Sequence, residues 1–183
     1  MGPDGSVRLL RSYLYGPDLA GMHSGLPDRI DAAAGIGGLI AVTDHAAGGA
    51  ACFTVCDGSG SVCALVDAET DIGLLETVEY TPFGKVLDRR TADAVPDPAA
   101  RAPRCPLGFS TRYRDPGGLI YFGRRYYCPD LRRWICRDPI AENGGVNLYA
   151  YCRNDPVNAV DPTGLAGYFF DFVGSNHAFP EQA

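Results

Sequence analysis

Cys56-Asp57-Gly58-Ser59-Gly60-Ser61-Val62 returns 24 residues later as Tyr80-Thr81-Pro82-Phe83-Gly84-Lys85-Val86. Asp57, Gly60 and Val62 of the first copy fall on Thr81, Gly84 and Val86 of the second. A fixed period in this range is the mark of stacked supersecondary units. The residues around each copy say which unit. Cys52–Cys56 and Val62–Val66 are short apolar runs on either side of Asp57-Gly58-Ser59-Gly60. Leu74–Tyr80 and Lys85–Leu87 flank Thr81-Pro82-Phe83-Gly84 in the same way. Strand, Gly-containing turn, strand is the signature of a β-hairpin, and Asp67–Thr70 supplies a further turn between the two.

Working outward, Arg8–Tyr15 reads as a strand that offers Leu10, Tyr13 and Tyr15 to a buried face, ended by Gly16-Pro17-Asp18. Residues 18–31 read as loop. Gly37–Thr43 is apolar, short and bounded by glycine, which predicts a buried strand rather than a helix. Residues 88–106 lack apolar periodicity and predict an exposed loop. Phe109–Arg114 and Gly118–Tyr127 predict a strand pair joined at Asp115-Pro116-Gly117, with Tyr121, Phe122, Tyr126 and Tyr127 as local core. Asp130–Trp134 predicts a turn that packs Trp134 beneath the Asp138 segment, and Asn147–Cys152 a short helical turn. The fold class that follows is all-β: antiparallel hairpins in a curved sheet, with a turn-rich C-terminal plug.

Composition agrees. Twenty-three Gly, fourteen Pro, ten Tyr and eight Phe in 183 residues favour short strands and tight turns over long helices. The formal charge of −6 argues against a non-specific nucleic-acid binder, which needs a basic face. The seven Cys include no Cys-x-x-Cys pair, and the three His lie far from any Cys pair. The expectation is reduced, partly buried thiols, no metal and no cofactor. No basic segment followed by an apolar run opens the chain, and no stretch reaches membrane-spanning length. Neither localisation nor oligomeric state can be read from the residues.

The C-terminal third carries the candidate chemistry. Asp-Pro occurs at 97, 115, 138, 155 and 161. Proline fixes its own φ and pushes the preceding Asp towards extended backbone, so each pair on its own is turn chemistry. Taken together, Gly118-Leu119-Ile120-Tyr121-Phe122-Gly123-Arg124-Arg125-Tyr126-Tyr127, Arg133-Trp134-Ile135, Arg137-Asp138-Pro139, Asn147-Leu148-Tyr149, Asn154-Asp155-Pro156-Val157-Asn158 and Asp161-Pro162-Thr163-Gly164-Leu165 resemble the end of the RHS repeat-associated core domain. That domain belongs to bacterial RHS/YD-repeat polymorphic toxins and to the C component of insecticidal toxin complexes. The 24-residue hairpin frame resembles their YD repeats, with Cys56 and Thr81 as departures.

The resemblance covers about residues 13–165 and implies a fold and an activity. The fold is a hairpin ribbon wound into a hollow shell, closed at one end by a plug. The activity is an aspartic-protease-like cut of the chain on itself, which frees a C-terminal effector. Carried over, the catalytic residues are Asp138, Asp161 and Arg137, and the cut falls between Leu165 and Ala166. Residues 1–165 then form part of the core domain and 166–183 a variable tail. Its partners are its own C-terminal segment or upstream repeats. The sequence departs from the family where Ala141 and Glu142 follow the first Asp-Pro. Ala141 gives up the freedom of Gly, and Glu142 brings a third carboxylate near the pair. The alternative is a non-enzymatic β-repeat module in which Asp138 and Asp161 only cap turns.

Overall fold

The computed structural model describes residues 9–16, 35–46, 48–69, 73–91 and 105–165, and the backbone of 168–169 and 177–178. Six strands, β1 (Arg11–Tyr15), β2 (Leu39–Asp44), β3 (Ala50–Cys56), β4 (Val62–Asp67), β5 (Leu74–Tyr80) and β6 (Val86–Thr91), form one antiparallel sheet in chain order. Among the described residues there is no α-helix, only short 3-10 turns, so the chain is all-β as its turns and aromatics imply. The expected loop at 88–106 begins later, because β6 runs on to Thr91; residues 92–104 lie outside the described set.

The 24-residue period is physically real. Gly60 N–H donates to Asp57 O and Asp57 N–H to Ser61 O; Gly84 N–H donates to Thr81 O and Thr81 N–H to Lys85 O, all at 2.8–3.0 Å. Both hairpins also carry the same irregularity just before the turn, between Val55 and Cys56 and between Glu79 and Tyr80. Asp115-Pro116-Gly117-Gly118 is a third copy, with Gly118 N–H on Asp115 O and Asp115 N–H on Leu119 O.

One face of the sheet buries Leu39, Val42, Cys52, Val62, Leu65 and Leu75. The other carries Leu14, Ala41, Phe53, Val66 and Leu74 in register across five strands. The hairpin tips dock on the C-terminal plug. Thr111 donates to Gly60 O, Ser110 N–H donates to Ser61 Oγ at 3.0 Å, and Tyr127 OH donates to Phe83 O at 2.8 Å.

The plug is built from β7 (Tyr113–Arg114), β8 (Ile120–Tyr121), β9 (Tyr126–Cys128) and β10 (Arg133–Trp134), paired in order, and from the short β11 (Ala159–Val160). Three expectations need correction here. Phe109–Thr111 makes a 3-10 turn rather than a strand, with Ser110 and Thr111 at φ 50 and 53°; its hydrogen bonds go to the hairpin tips, which hold it there. The single strand expected over Gly118–Tyr127 is two, because the chain reverses where Phe122 N–H donates to Arg125 O. The short helical turns fall at Ala141–Gly144 and Cys152–Asn154 rather than over Asn147–Cys152, which they only meet at Cys152.

An aromatic layer of Phe109, Phe122, Tyr127, Trp134 and Tyr151 forms the second core, with Tyr127 and Tyr151 ring centres 4.6 Å apart. Gly84 shows how tightly the tips seat. Its φ is 79°, and a Cβ there would lie 2.6 Å from the Phe109 ring. Gly84→Ala combines a left-handed backbone penalty with overpacking, for an expected loss of roughly 2–5 kcal/mol, measurable as a lower midpoint in urea unfolding.

Candidate active site

The turn of the repeats occurs twice more in the plug. Ala141 N–H donates to Asp138 O at 3.0 Å, and Asp138 Oδ1 accepts from Ile140 N–H at 3.0 Å. Asp161 Oδ1 accepts from the N–H groups of Thr163, Gly164 and Leu165 at 3.2, 2.7 and 3.2 Å. The residue three places on is left-handed in every copy: φ is 76° at Gly60, 79° at Gly84, 89° at Gly118, 53° at Ala141 and 74° at Gly164. Asp138 and Asp161 are therefore turn-capping residues by construction. Four of these positions are Gly, and at Ala141 a Cβ bears the strain that Gly avoids. Ala141→Gly is expected to raise stability by roughly 0.5–1 kcal/mol, net of the backbone entropy Gly adds to the unfolded chain, read as a higher melting temperature.

What separates these two turns from the others is the guanidinium between them. Arg125 is 3% exposed and lies flat on Trp134, its Cζ 4.1 Å from the ring centre. Its Nη1 sits 2.9 Å from Asp138 Oδ2, a close ion pair off the hydrogen-bond axis, and Nη2 sits 3.6 Å from Asp161 Oδ2. Nε donates to Gly164 O, and Nη2 donates to Leu165 O at 3.3 Å. The 23 residues between the carboxylates run out and back. Trp134 N–H donates to Tyr149 O and Asp138 N–H to Leu148 O, which lays Asn147–Tyr149 beside the Trp134–Asp138 segment. Gly144 closes over the first carboxylate, where a Cβ would lie 2.5 Å from Asp138 Oδ2.

The electrostatics follow from burial. Arg125 faces both carboxylates, and Arg112, which donates to Pro162 O, adds a second positive charge on the Asp161 side; a buried charge without a full partner is costly. Burial pushes the Asp161 carboxyl up to about 6, against the opposing pull of Arg125 and the three backbone N–H groups. Burial also draws Arg125 below its ordinary value, while both carboxylates hold it up. Asp161 is thus able to hold a proton near neutrality, and Asp138 lies against the guanidinium.

Of the residues expected here, Asp138, Asp161 and Leu165 converge on Arg125. Arg137 and Glu142 are both exposed, and neither makes an ion pair among the described residues. Ala166 lies outside the described residues. Arg125 is the residue that sequence reasoning passed over. Its signal was a charged pair, Arg124-Arg125, inside an otherwise aromatic run. No group of His, Cys, Asp or Glu among the described residues could hold a metal ion.

No family model matches the chain. It is 38% identical over 104 residues to toxin subunit YenC1 of Yersinia entomophaga, a match over 56% of this chain and 10% of that protein. It is 46% identical over 92 residues to double-stranded DNA deaminase toxin A of Burkholderia cenocepacia, over 50% of this chain and 6% of that one. The crystal structure of TcdB2–TccC3 superposes on 64% of the chain and 5% of its own, with a TM-score of 0.56 and 31% identity. The relatives it matches include toxins, toxin subunits and a probable deoxyribonuclease, RhsB of Dickeya dadantii. The chain spans a tenth or less of the length of these three.

Asp161 makes a pH prediction. A buried acid whose folded value is raised stabilises the fold fully below its unfolded value of 3.8, and that contribution is lost as pH rises through about 6. Asn at 161 keeps an oxygen for the three backbone donors and has nothing to ionise. The stability of Asp161→Asn relative to the unaltered chain should therefore rise between pH 4 and pH 7, by up to about 3 kcal/mol. Urea unfolding of both chains across that range measures it.

Proposed function

We propose that this chain is the end of an RHS-type β-shell and that Asp138 and Asp161 cut it between Leu165 and Ala166. In a longer parent protein, that cut frees a C-terminal effector. The observation that carries the reading is the pair of buried carboxylates on one guanidinium, with the Asp161 side chain gripping the backbone on the amino side of the bond. Asp138, paired with Arg125, is the base and takes a proton from water. The resulting oxygen bonds to the Leu165 carbonyl carbon as Asp161 donates its proton to the carbonyl oxygen. Collapse of the adduct breaks the C–N bond, the proton gained by Asp138 passes to the Ala166 nitrogen, and one hydroxyl of the adduct returns a proton to Asp161. One water is consumed, giving a carboxyl at Leu165 and an amine at Ala166. The fold contributes the fixed geometry, which removes part of the entropic barrier.

The second reading is structural, and the carboxylate hydrogen bonds favour it: both Asp cap their own turns as Asp57 and Asp115 do. In that case the chain is a β-repeat interaction module whose partners are neighbouring repeats.

Intact mass spectrometry of the purified chain at pH 6, without added protease, separates the two. The first predicts slow appearance of a 1–165 fragment and the 18-residue tail. The rate should decline as pH rises above 6, where Asp161 loses its proton. Asp138→Asn and Asp161→Asn should each slow it by about 10²–10⁴. Equal cutting in all three chains, or an unaltered chain that stays whole for days, would leave the structural reading.

A further inference from the structure

We propose that the tip of the β3–β4 hairpin governs this cut, acting through Arg112, a positioning residue that holds the Asp161–Leu165 turn. The proposal rests on the self-cleavage reading and says what licenses the cut. Pro162 and Thr163 share a peptide group that is held at both ends. Arg112 Nη2 donates to Pro162 O, and Thr163 N–H donates to Asp161 Oδ1 at 3.2 Å. Fixing the carbonyl end fixes the plane that presents the N–H. One of the three donors that aim the Asp161 carboxyl is therefore set by a side chain 50 residues upstream of Pro162.

Arg112 reaches that point from a strained segment. Ser110 and Thr111, directly before it, hold φ of 50 and 53°. That is left-handed backbone, which a β-branched residue such as Thr rarely adopts. What holds them there is the hairpin tip. Ser110 N–H donates to Ser61 Oγ at 3.0 Å, and Thr111 Oγ1 donates to Gly60 O while accepting from Gly37 N–H at 2.8 Å. Val62 N–H, just past the tip, donates to Gly108 O at 3.1 Å. With the tip undocked, these bonds no longer offset the strain, the segment relaxes, and the Arg112 head leaves Pro162 O. Two arrangements of one strained segment, biased by a docked neighbour, make a switch. In a longer parent, the site then becomes competent only once the sheet wall has seated on the plug.

The charge of Arg112 gives the switch a signature. The charged and titratable side chains around Asp161 are Arg125, Arg112, Tyr151 and Cys152, with Asp138 across Arg125. Burial pushes Tyr151 and Cys152 well above their ordinary values, so both stay neutral between about pH 5 and pH 8. The two arginines are the cations that favour an ionised Asp161. Removing the charge of Arg112 keeps Asp161 protonated to higher pH.

The test follows cutting of the full chain by intact mass spectrometry from pH 5 to pH 8. It compares the unaltered chain with Ser61→Ala, Arg112→Gln, Arg112→Lys and the double variant Ser61→Ala/Arg112→Gln. Arg112→Gln should slow the cut about 10–10²-fold, the scale of a misplaced reacting group, and move its decline to higher pH. Arg112→Lys keeps a charge and a donor, and should recover most of the rate and the unaltered pH profile. Ser61→Ala should slow the cut about 2–10-fold, the worth of one hydrogen bond. The double variant should be no slower than Arg112→Gln alone, as expected of two residues on one path. Circular dichroism identifies any variant that has lost the fold; if Arg112→Gln has, the Ser61→Ala rate decides. Unaltered cutting by Arg112→Gln or by Ser61→Ala overturns the proposal and leaves the Asp pair in place. Slowdowns that multiply in the double variant overturn it too. An unaltered chain that stays whole, or normal cutting by Asp138→Asn and Asp161→Asn, instead overturns the underlying reading and this inference with it.

Discussion

A single guanidinium lies buried on an indole ring with two carboxylates and two main-chain carbonyls around it, and the shape of the plug answers to that placement. Taking Arg125 out of water is tolerable only if its charge is matched. Asp138, Asp161, Gly164 O and Leu165 O meet the demand from two segments 23 residues apart. The chain between them has to leave and return. The turn at Asn147–Tyr149, the kinked Cys152–Asn154 and the tight Gly144 all serve that path.

The same turn is used for two purposes. In the sheet, an Asp or Thr side chain caps a hairpin tip, and the tip supplies packing surface, as Gly84 does against Phe109. In the plug, the same Asp-x-x-Gly frame turns its carboxylate inward, and the capping side chain becomes an ionisable group in a dry site. The left-handed residue three places on is kept, but the closing main-chain bond is not: Asp138 N–H donates to Leu148 O instead. Ala141 shows that the left-handed bend is imposed by context, since it holds φ 53° without the help of Gly.

Much of this was legible in the residues. Strands β3–β6 came from the 24-residue repeat because each Gly sits where φ must be positive. The third copy at Asp115 escaped the period, being 34 residues beyond Thr81, although its Asp-x-x-Gly-x-Ile pattern is the same. The reversal at Phe122–Arg125 was hidden inside a run of aromatics that suits a strand equally well. Arg125 could not be picked from the neighbouring Arg124, because adjacent residues at a tight turn differ only in which one the core accepts. Arg137, the arginine that the resemblance carried over, is exposed and makes no ion pair among the described residues, whereas Arg125 is buried against both carboxylates.

The tail strands bear on what scission would achieve. Tyr168–Phe169 pairs antiparallel with Ala159–Val160, and His177–Ala178 pairs on the far side, so the chain reverses between Val160 and Tyr168. A hydrolysed peptide link there would leave both pieces knitted into one sheet. The new carboxylate and amine would be held together at high effective concentration, and the site would stay occupied by its own product. Liberation would then depend on whatever peels the outgoing strand from β11. A pull on the downstream polypeptide would supply that work, making mechanical tension, rather than bond breaking, the step that commits the chain to release.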